Sequence, residues 1–484
     1  MRDYATRRRV LGALGAGLTG LAGCVSEDRG SGDGGDGSSG SDGSDGGSDM
    51  NGDGDSSSDG GSTGDGSSGT TSVSIGMLQP LSGDLAYYGQ QSLWGFLSGL
   101  AYKAGDSPPA EPSTGELTMT VGDVEYTVYI RDTQFSADTA QTAATNLVEN
   151  QGVDILAGCA SSASASRVVT TVVNQASVPM MVGPAASAGI TSNSETCGDL
   201  VYRASENTAM DARSGGKYVA NETDVSSVYL FGADYSFGRA VVNNYKAVLQ
   251  NEGVEIVGER FVEQGYAEWE GLLDNAEEAG AEGVVGGFTV ATLPSMFNAF
   301  LSGEYSYRVF GGYATRITNS VVGGTMQNVL GEPLTQEKIR NSNLGPFTTR
   351  YHWNQYDNDI NNTFVETYTD TYGVVPDLFT SGTFTGASAI HQAVQEGGST
   401  EGPDIASALK GMTVTDTPKG EGGYTFQEYN NQARSAMTVA DPIPTTDEWS
   451  ENWGAAIMPG EPLSRIGADE TTIPADSDQM DCSL

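Results

Sequence analysis

Apolar residues along this chain fall into short continuous runs separated by stretches of helical period. Val73-Ser74-Ile75-Gly76-Met77-Leu78 reads as a strand that Pro80 and Gly83 end. Leu93, Phe96, Leu97 and Leu100 then share one helical face, which predicts a helix over 89–103. Strand 126–130, helix 136–149, buried strand 153–158, helix 162–175 and strand 178–182 continue the series. A second series begins after Leu200, with strand 227–231, helix 237–252, strand 254–257, helix 269–278 and strands 283–288 and 307–311. Strands alternating with helices of this length specify an α/β body of parallel sheets wrapped by helices. Two tandem copies predict two similar lobes, with a cleft beyond the carboxyl ends of their strands where ligands of such sheets bind.

The first residues do not fit that alternation. Arg2, Arg7, Arg8 and Arg9 precede an apolar run, Val10 to Gly23, too short to span a bilayer, so residues 1–23 read as a signal peptide. Thr6-Arg7-Arg8-Arg9-Val10-Leu11 resembles a twin-arginine export signal. Leu21-Ala22-Gly23-Cys24 resembles a lipoprotein box, which implies cleavage before Cys24 and a lipid on its thiol. From residue 25 to 72 the chain is nearly all Gly, Ser, Asp and Thr, with eleven acids and one base. Such a segment buries too little apolar surface to offset its ordering entropy and is expected to act as a disordered leash over 24–72, with a reach on the order of 40 Å.

Acidity extends into the body. The whole chain carries 63 acidic against 23 basic residues, only six of them lysine, for a net charge of −40. This resembles proteins of salt-loving archaea, whose carboxylates are screened within about 3 Å at molar salt. Nucleic acid is excluded as a partner by the same charge. Of the cysteines beyond Cys24, the remaining Cys159, Cys197 and Cys482 allow one disulfide and a spare, and Cys159 with Cys197 is the expected pair because both should lie at one end of the same sheet. No metal spacing occurs, His352 and His391 being far apart without a CxxC, and no cofactor is implied.

Four segments in order carry a family resemblance. They are Ile75-Gly76-Met77-Leu78-Gln79-Pro80-Leu81-Ser82-Gly83 with Tyr88-Gly89-Gln90, the turn Pro184-Ala185-Ala186-Ser187, the strand Val201-Tyr202-Arg203, and Gly232-Ala233-Asp234-Tyr235-Ser236-Phe237-Gly238-Arg239. From about Val73 to Val439 the chain resembles the type I solute-binding proteins of ABC importers, in the branched-chain amino acid and amide group. That likeness implies two Rossmann-like lobes joined by a three-segment hinge, with crossings near 200, 325 and 410. Lobe 1 is then 73–200 plus about 325–410, lobe 2 is 201–324 plus about 411–445, and 446–484 is a tail.

The likeness also implies a site. Gly158-Cys159-Ala160-Ser161-Ser162 ends a strand and opens a helix, where free N–H groups and the hydroxyls of Ser161 and Ser162 suit a carboxylate, or cap the helix in the ordinary way. In the family this turn holds the ligand's carboxylate, while Ala185 and Ser187 fall where a carbonyl and a hydroxyl accept from its ammonium group. Tyr88 and Phe379 match aromatics of the first lobe, and Tyr235 and Phe288 those of the second. Where amino-acid binders offer an acid to the ammonium, this chain reads Gly311-Gly312-Tyr313-Ala314-Thr315-Arg316. The phenol of Tyr313 accepts a hydrogen bond but brings no charge at neutral pH. Either Asp234 substitutes, or the solute is an amide, urea or another small polar molecule.

A serine elbow, an HExxH and a P-loop are all missing from the sequence, and two histidines offer little general-base capacity, so the chain is not read as an enzyme. The expected partners are a small solute, the permease and ATPase subunits of an importer, and a membrane reached through the lipid, on the extracellular face. The alternative is a ligand-sensing lipoprotein feeding a chemotaxis or signalling receptor.

Overall fold

A computed structural model describes residues 71–312 and 315–484. The signal peptide, Cys24, the leash as far as residue 70 and Tyr313 lie outside the described residues, while Thr71 and Ser72, expected at the end of the leash, instead begin the first strand. The first sheet contains β1 (Thr71–Gln79), β2 (Gly115–Val121), β3 (Val124–Asp132), β4 (Ile155–Gly158), β5 (Met180–Val182) and β6 (Val201–Arg203). Their order is β2-β3-β1-β4-β5-β6, parallel throughout except for the hairpin of β2 with β3. β1 is buried over most of its length because helices cover both faces of the sheet, which is why it reads as a nearly unbroken apolar run. Leu93, Leu97, Ile390 and Ile405 pack on one face, and Leu147, Val168 and Val172 on the other.

The second sheet begins with β7 (Ser227–Ala233), β8 (Glu255–Val262), β9 (Gly283–Gly287), β10 (Arg308–Gly311) and β11 (Leu344–Thr349), all parallel to one another. A small antiparallel sheet follows, made of β12 (Thr413–Val414), β13 (Tyr424–Phe426) and β14 (Ala433–Ser435). The strands β15 (Met437–Pro444) and β16 (Ile457–Ile466) then rejoin the second sheet, in the order β16-β15-β11-β10-β9-β7-β8. Trp269, Phe297 and Val322 fill one of its faces, and Val242, Tyr245 and Leu249 the other. Among the described residues no helix is long and apolar enough to cross a membrane.

Two of the expected crossings move, and the tail acquires structure. Residue 325 lies inside the helix Arg316–Leu330, whose Val322 and Met326 are buried against the second sheet, so the chain stays in that lobe through β11 and returns at Arg350. The crossing expected near 410 comes instead between β14 and β15, at Ser435–Met437. The supposed tail supplies β16 and then runs back to the first lobe, where the Asp481 N–H donates to the Ser192 carbonyl at 2.8 Å.

The expected disulfide is also corrected. Cys197 pairs with Cys482, their Cα atoms 6.0 Å apart across 285 residues of sequence. Cys159 is free and fully buried at the end of β4, where burial pushes its thiol up to about 12 and leaves it inert at neutral pH.

Candidate ligand-binding site

A cavity of about 90 Å³ lies between the carboxyl ends of the two sheets, room for the equivalent of several water molecules and so for a small solute. On the first lobe β4 turns sharply into the helix Ser162–Val168. Gly158 has φ +112°, and a Cβ there would lie 2.4 Å from the Leu78 carbonyl oxygen, so only glycine makes the turn. Ser161 caps the helix, its Oγ accepting from the Ser164 N–H at 3.4 Å, and does not line the cavity. Ser162 does line it, and its Oγ accepts from the Ser187 N–H at 3.0 Å, which ties the two ligand turns together and leaves the hydroxyl proton to donate.

Ala185 and Ser187 stand behind a wall made by Pro184 and Ala186. Their carbonyls are taken by Arg203, whose Nη1 donates to Ala185 at 3.1 Å and to Ser187 at 2.7 Å. Tyr88, on the helix Ala86–Ala104, and Phe379 form an edge-on aromatic pair with centroids 5.4 Å apart at the cavity wall. Tyr235, Phe237 and Phe288 face them from the second lobe. Asp234 is half-exposed, pairs with Arg239 and stays out of the cavity, so it does not substitute for the missing acid.

An ion pair that the sequence reading missed closes the hinge end. Arg350 Nε donates to Asp211 Oδ1 at 3.0 Å and Nη2 to Oδ2 at 2.5 Å, and both residues line the cavity while buried. Burial works against the guanidinium charge, but the Asp211 carboxylate outweighs it and holds the Arg350 pKa above its ordinary value. Asp211 Oδ1 lies 3.9 Å from where a side chain at Gly312 would begin, so an acid reaches the end of β10 from another element. Arg350 follows a strand interrupted by Gly345 and Pro346, which read as a turn, and its partner lies 139 residues away. The remaining signal was a lone base in an acid-rich chain.

Contacts cross the mouth of the cleft. The Val290 N–H donates to the Tyr88 hydroxyl at 3.0 Å, and the Arg316 N–H to the buried Asp377 carboxylate at 2.8 Å. Tyr87 also donates to Asp377, while its ring stacks under the Arg316 guanidinium at 5.5 Å. The lobes are therefore closed over the cavity.

Two α/β lobes, crossings that form a hinge, and a solute-sized closed cavity define a bilobal binding protein of type I architecture. A family model described as periplasmic binding protein matches residues 72–444, and the chain belongs to that family. The Leu/Ile/Val-binding protein homolog 6 of Brucella abortus (strain 2308) is 28% identical over 350 residues, covering 70% of this chain and 80% of that one. An ABC-type branched-chain amino acid transporter structure from Rhodopseudomonas palustris superimposes with a TM-score of 0.63 at 21% identity, covering 83% of this chain and 98% of that one. A solute-binding protein of R. palustris BisB5 in complex with 3,4-dihydroxybenzoic acid gives 0.64 at 19%, over 82% and 98% of the two chains. A leucine-binding protein of Thermotoga maritima gives 0.63 at 16%, over 82% and 99%.

Proposed function

We propose that this chain is the solute-binding component of an ABC importer, held by a lipid at the extracellular face. It captures a small solute in the open cleft, closes about the hinge, and presents the closed form to a permease driven by an ATPase. The observation that carries this reading is a small cavity walled by both lobes and shut by hydrogen bonds between them. A solute that touches both lobes binds the closed form more tightly than the open one, which is what ligand-driven closure requires.

Isothermal titration of the full-length chain in molar salt, against branched-chain amino acids, small amides, urea and benzoate, tests the reading. Ser162→Ala removes the donor of the first lobe and is expected to weaken the best ligand by about 1–2 kcal/mol, or roughly 5- to 30-fold. Unchanged affinity would place the ligand elsewhere.

The anchor is proposed from the segment around Cys24. In a cell without an outer membrane a free binding protein diffuses away, and a lipid with a 48-residue leash keeps it near its importer. Cys24→Ser should release folded, ligand-competent protein into the medium. If the variant stays in the membrane fraction, the signal segment itself is the anchor.

A further inference from the structure

We infer that the solute is a carboxylate lacking an ammonium group, and that Arg350 is the residue that receives its oxygens; this rests on the solute-binding reading above. Among the described residues lining the cavity, Arg350 is the one cation and Asp211 the one acid. Both oxygens of Asp211 are held by Arg350, through Nε and Nη2. The hydrogen bonds that Arg350 makes to Asp211 use Nε and Nη2, so among the described residues Nη1 enters none of them, and on a residue that lines the cavity its two N–H groups can serve an acceptor there. An acid whose charge Arg350 already balances attracts an ammonium ion less than a free carboxylate would, and the guanidinium beside it repels one, while a guanidinium with N–H groups to spare attracts an anion.

The first lobe strengthens the same preference. The carbonyls of Ala185 and Ser187, the acceptors nearest the wall on that side, already take hydrogen bonds from Arg203. Arg203 is wholly buried, and its partners are neutral: those two carbonyls, Gln432 Oε1 at 2.6 Å and Thr191 Oγ1 at 2.7 Å. Burial, with Arg350 nearby, pulls its pKa down to about 9, which still leaves it charged at neutral pH. Beside the Asp211–Arg350 pair, which sums to zero, Arg203 makes this part of the site net positive. A buried charge without a counter-ion is costly, and a ligand carboxylate supplies one where an ammonium group would add to the cost.

The walls limit the rest of the molecule. Tyr88, Phe135, Tyr235, Phe288 and Phe379 wall a space of about 90 Å³, which suits a small flat or branched apolar body. Ser162 on the opposite lobe donates to a second oxygen, so the ligand's polar contacts would bridge the hinge end and the first lobe.

Titration of the full-length chain in molar salt with benzoate, benzamide and L-leucine tests this. Benzamide has the shape of benzoate without its charge, and leucine adds the ammonium group. Benzoate should bind at least tenfold more tightly than either. Arg350→Gln alone would bury an unpaired Asp211, so the informative variant is Asp211→Asn with Arg350→Gln, checked for folding by its thermal transition. In that folded double variant benzoate affinity should fall at least 30-fold and benzamide affinity by at least threefold less than that. Arg350→Lys should recover part of the loss. Tighter binding of leucine than of benzoate overturns the inference and leaves the binding-protein reading standing, as does a double variant that binds benzoate like the parent. Failure to bind any of these probes or any member of the wider panel overturns both.

Discussion

Lys419→Met is expected to lower the unfolding free energy by about 3–5 kcal/mol, the usual cost of leaving one member of a buried ion pair alone. The side chains of Lys419 and Glu206 are each 2% exposed, with Nζ 2.6 Å from Oε1. Lys419 also donates to Ser435 Oγ at 2.9 Å and to the Ala436 carbonyl at 2.6 Å. Glu206 accepts from the Tyr424 hydroxyl at 2.5 Å and from Ser435 Oγ at 3.0 Å. Burial pushes the carboxyl pKa up, but the Lys419 charge and these hydrogen bonds outweigh it, so Glu206 is held below the ordinary carboxylate range and remains ionised at neutral pH.

Glu206 follows β6 at the first crossing, and Ser435 and Ala436 stand at the third, so the pair joins two hinge segments. Methionine fills the space of the lysine stem but leaves Glu206 as an uncompensated charge in the hinge. Denaturant unfolding at fixed molar salt, compared with the double variant Glu206→Gln, Lys419→Met, makes the test. The double variant should lose clearly less than the single one, because no charge is stranded. A single-variant loss below about 1 kcal/mol would put this pair in the class of surface ion pairs and remove it as a hinge element.

The second large effect is acid sensitivity arising from His352. Its imidazole is fully buried, and neither ring nitrogen has a hydrogen-bond partner among the described residues. Trp353 and Trp453 present their rings edge-on to it, with centroids 5.9 and 6.1 Å away. Burial lowers its pKa from 6.5 to about 3. The sign follows from linkage. Above the unfolded pKa both states are neutral and the stability is fully present. As pH falls below 6.5 the unfolded chain takes up a proton that the folded one refuses, until the folded pKa near 3 is reached. The loss is about 1.4 kcal/mol per pH unit over that window, on the order of 5 kcal/mol in all.

Many carboxylates titrate in the same range, so the measurement is a difference. The pH slope of the denaturation midpoint in the parent is compared with that in His352→Phe, at constant molar salt. The variant should lose the extra slope between pH 6.5 and pH 3. Equal slopes in the two proteins would mean that His352 is protonated in the fold or reached by water.

How much of this was legible beforehand depended on the range of the interaction involved. β1, β4, β7 and β9 could be read directly, because a strand covered on both faces must be apolar at nearly every position and the run is local. The turns of the site were legible for a related reason. Gly89 stands where a Cβ would lie 1.9 Å from the Pro80 carbonyl oxygen, and Gly238 where one would lie 2.2 Å from that of Ala233, so close packing leaves its mark as glycine at those positions. Tyr88, Ser162, Tyr235, Phe288 and Phe379 fall at the cavity wall because each sits within a few residues of such a turn.

β11 was hidden because Gly345 and Pro346 interrupt its apolar run and read as a turn. Pro459 and Pro462 similarly gave β16 the composition of a tail, although it pairs with β15 in the second sheet. The lobe boundaries shifted with those strands. The disulfide partner of Cys197, the Arg350 partner of Asp211 and the Lys419 partner of Glu206 lie 285, 139 and 213 residues away. Periodicity and turn chemistry act over a few residues, so the chain's own order settles its class, its two lobes and the turns that frame a cleft. Pairings across hundreds of residues exist only once the crossings have been made, and the Asp211–Arg350 pair inside the cleft is one of them.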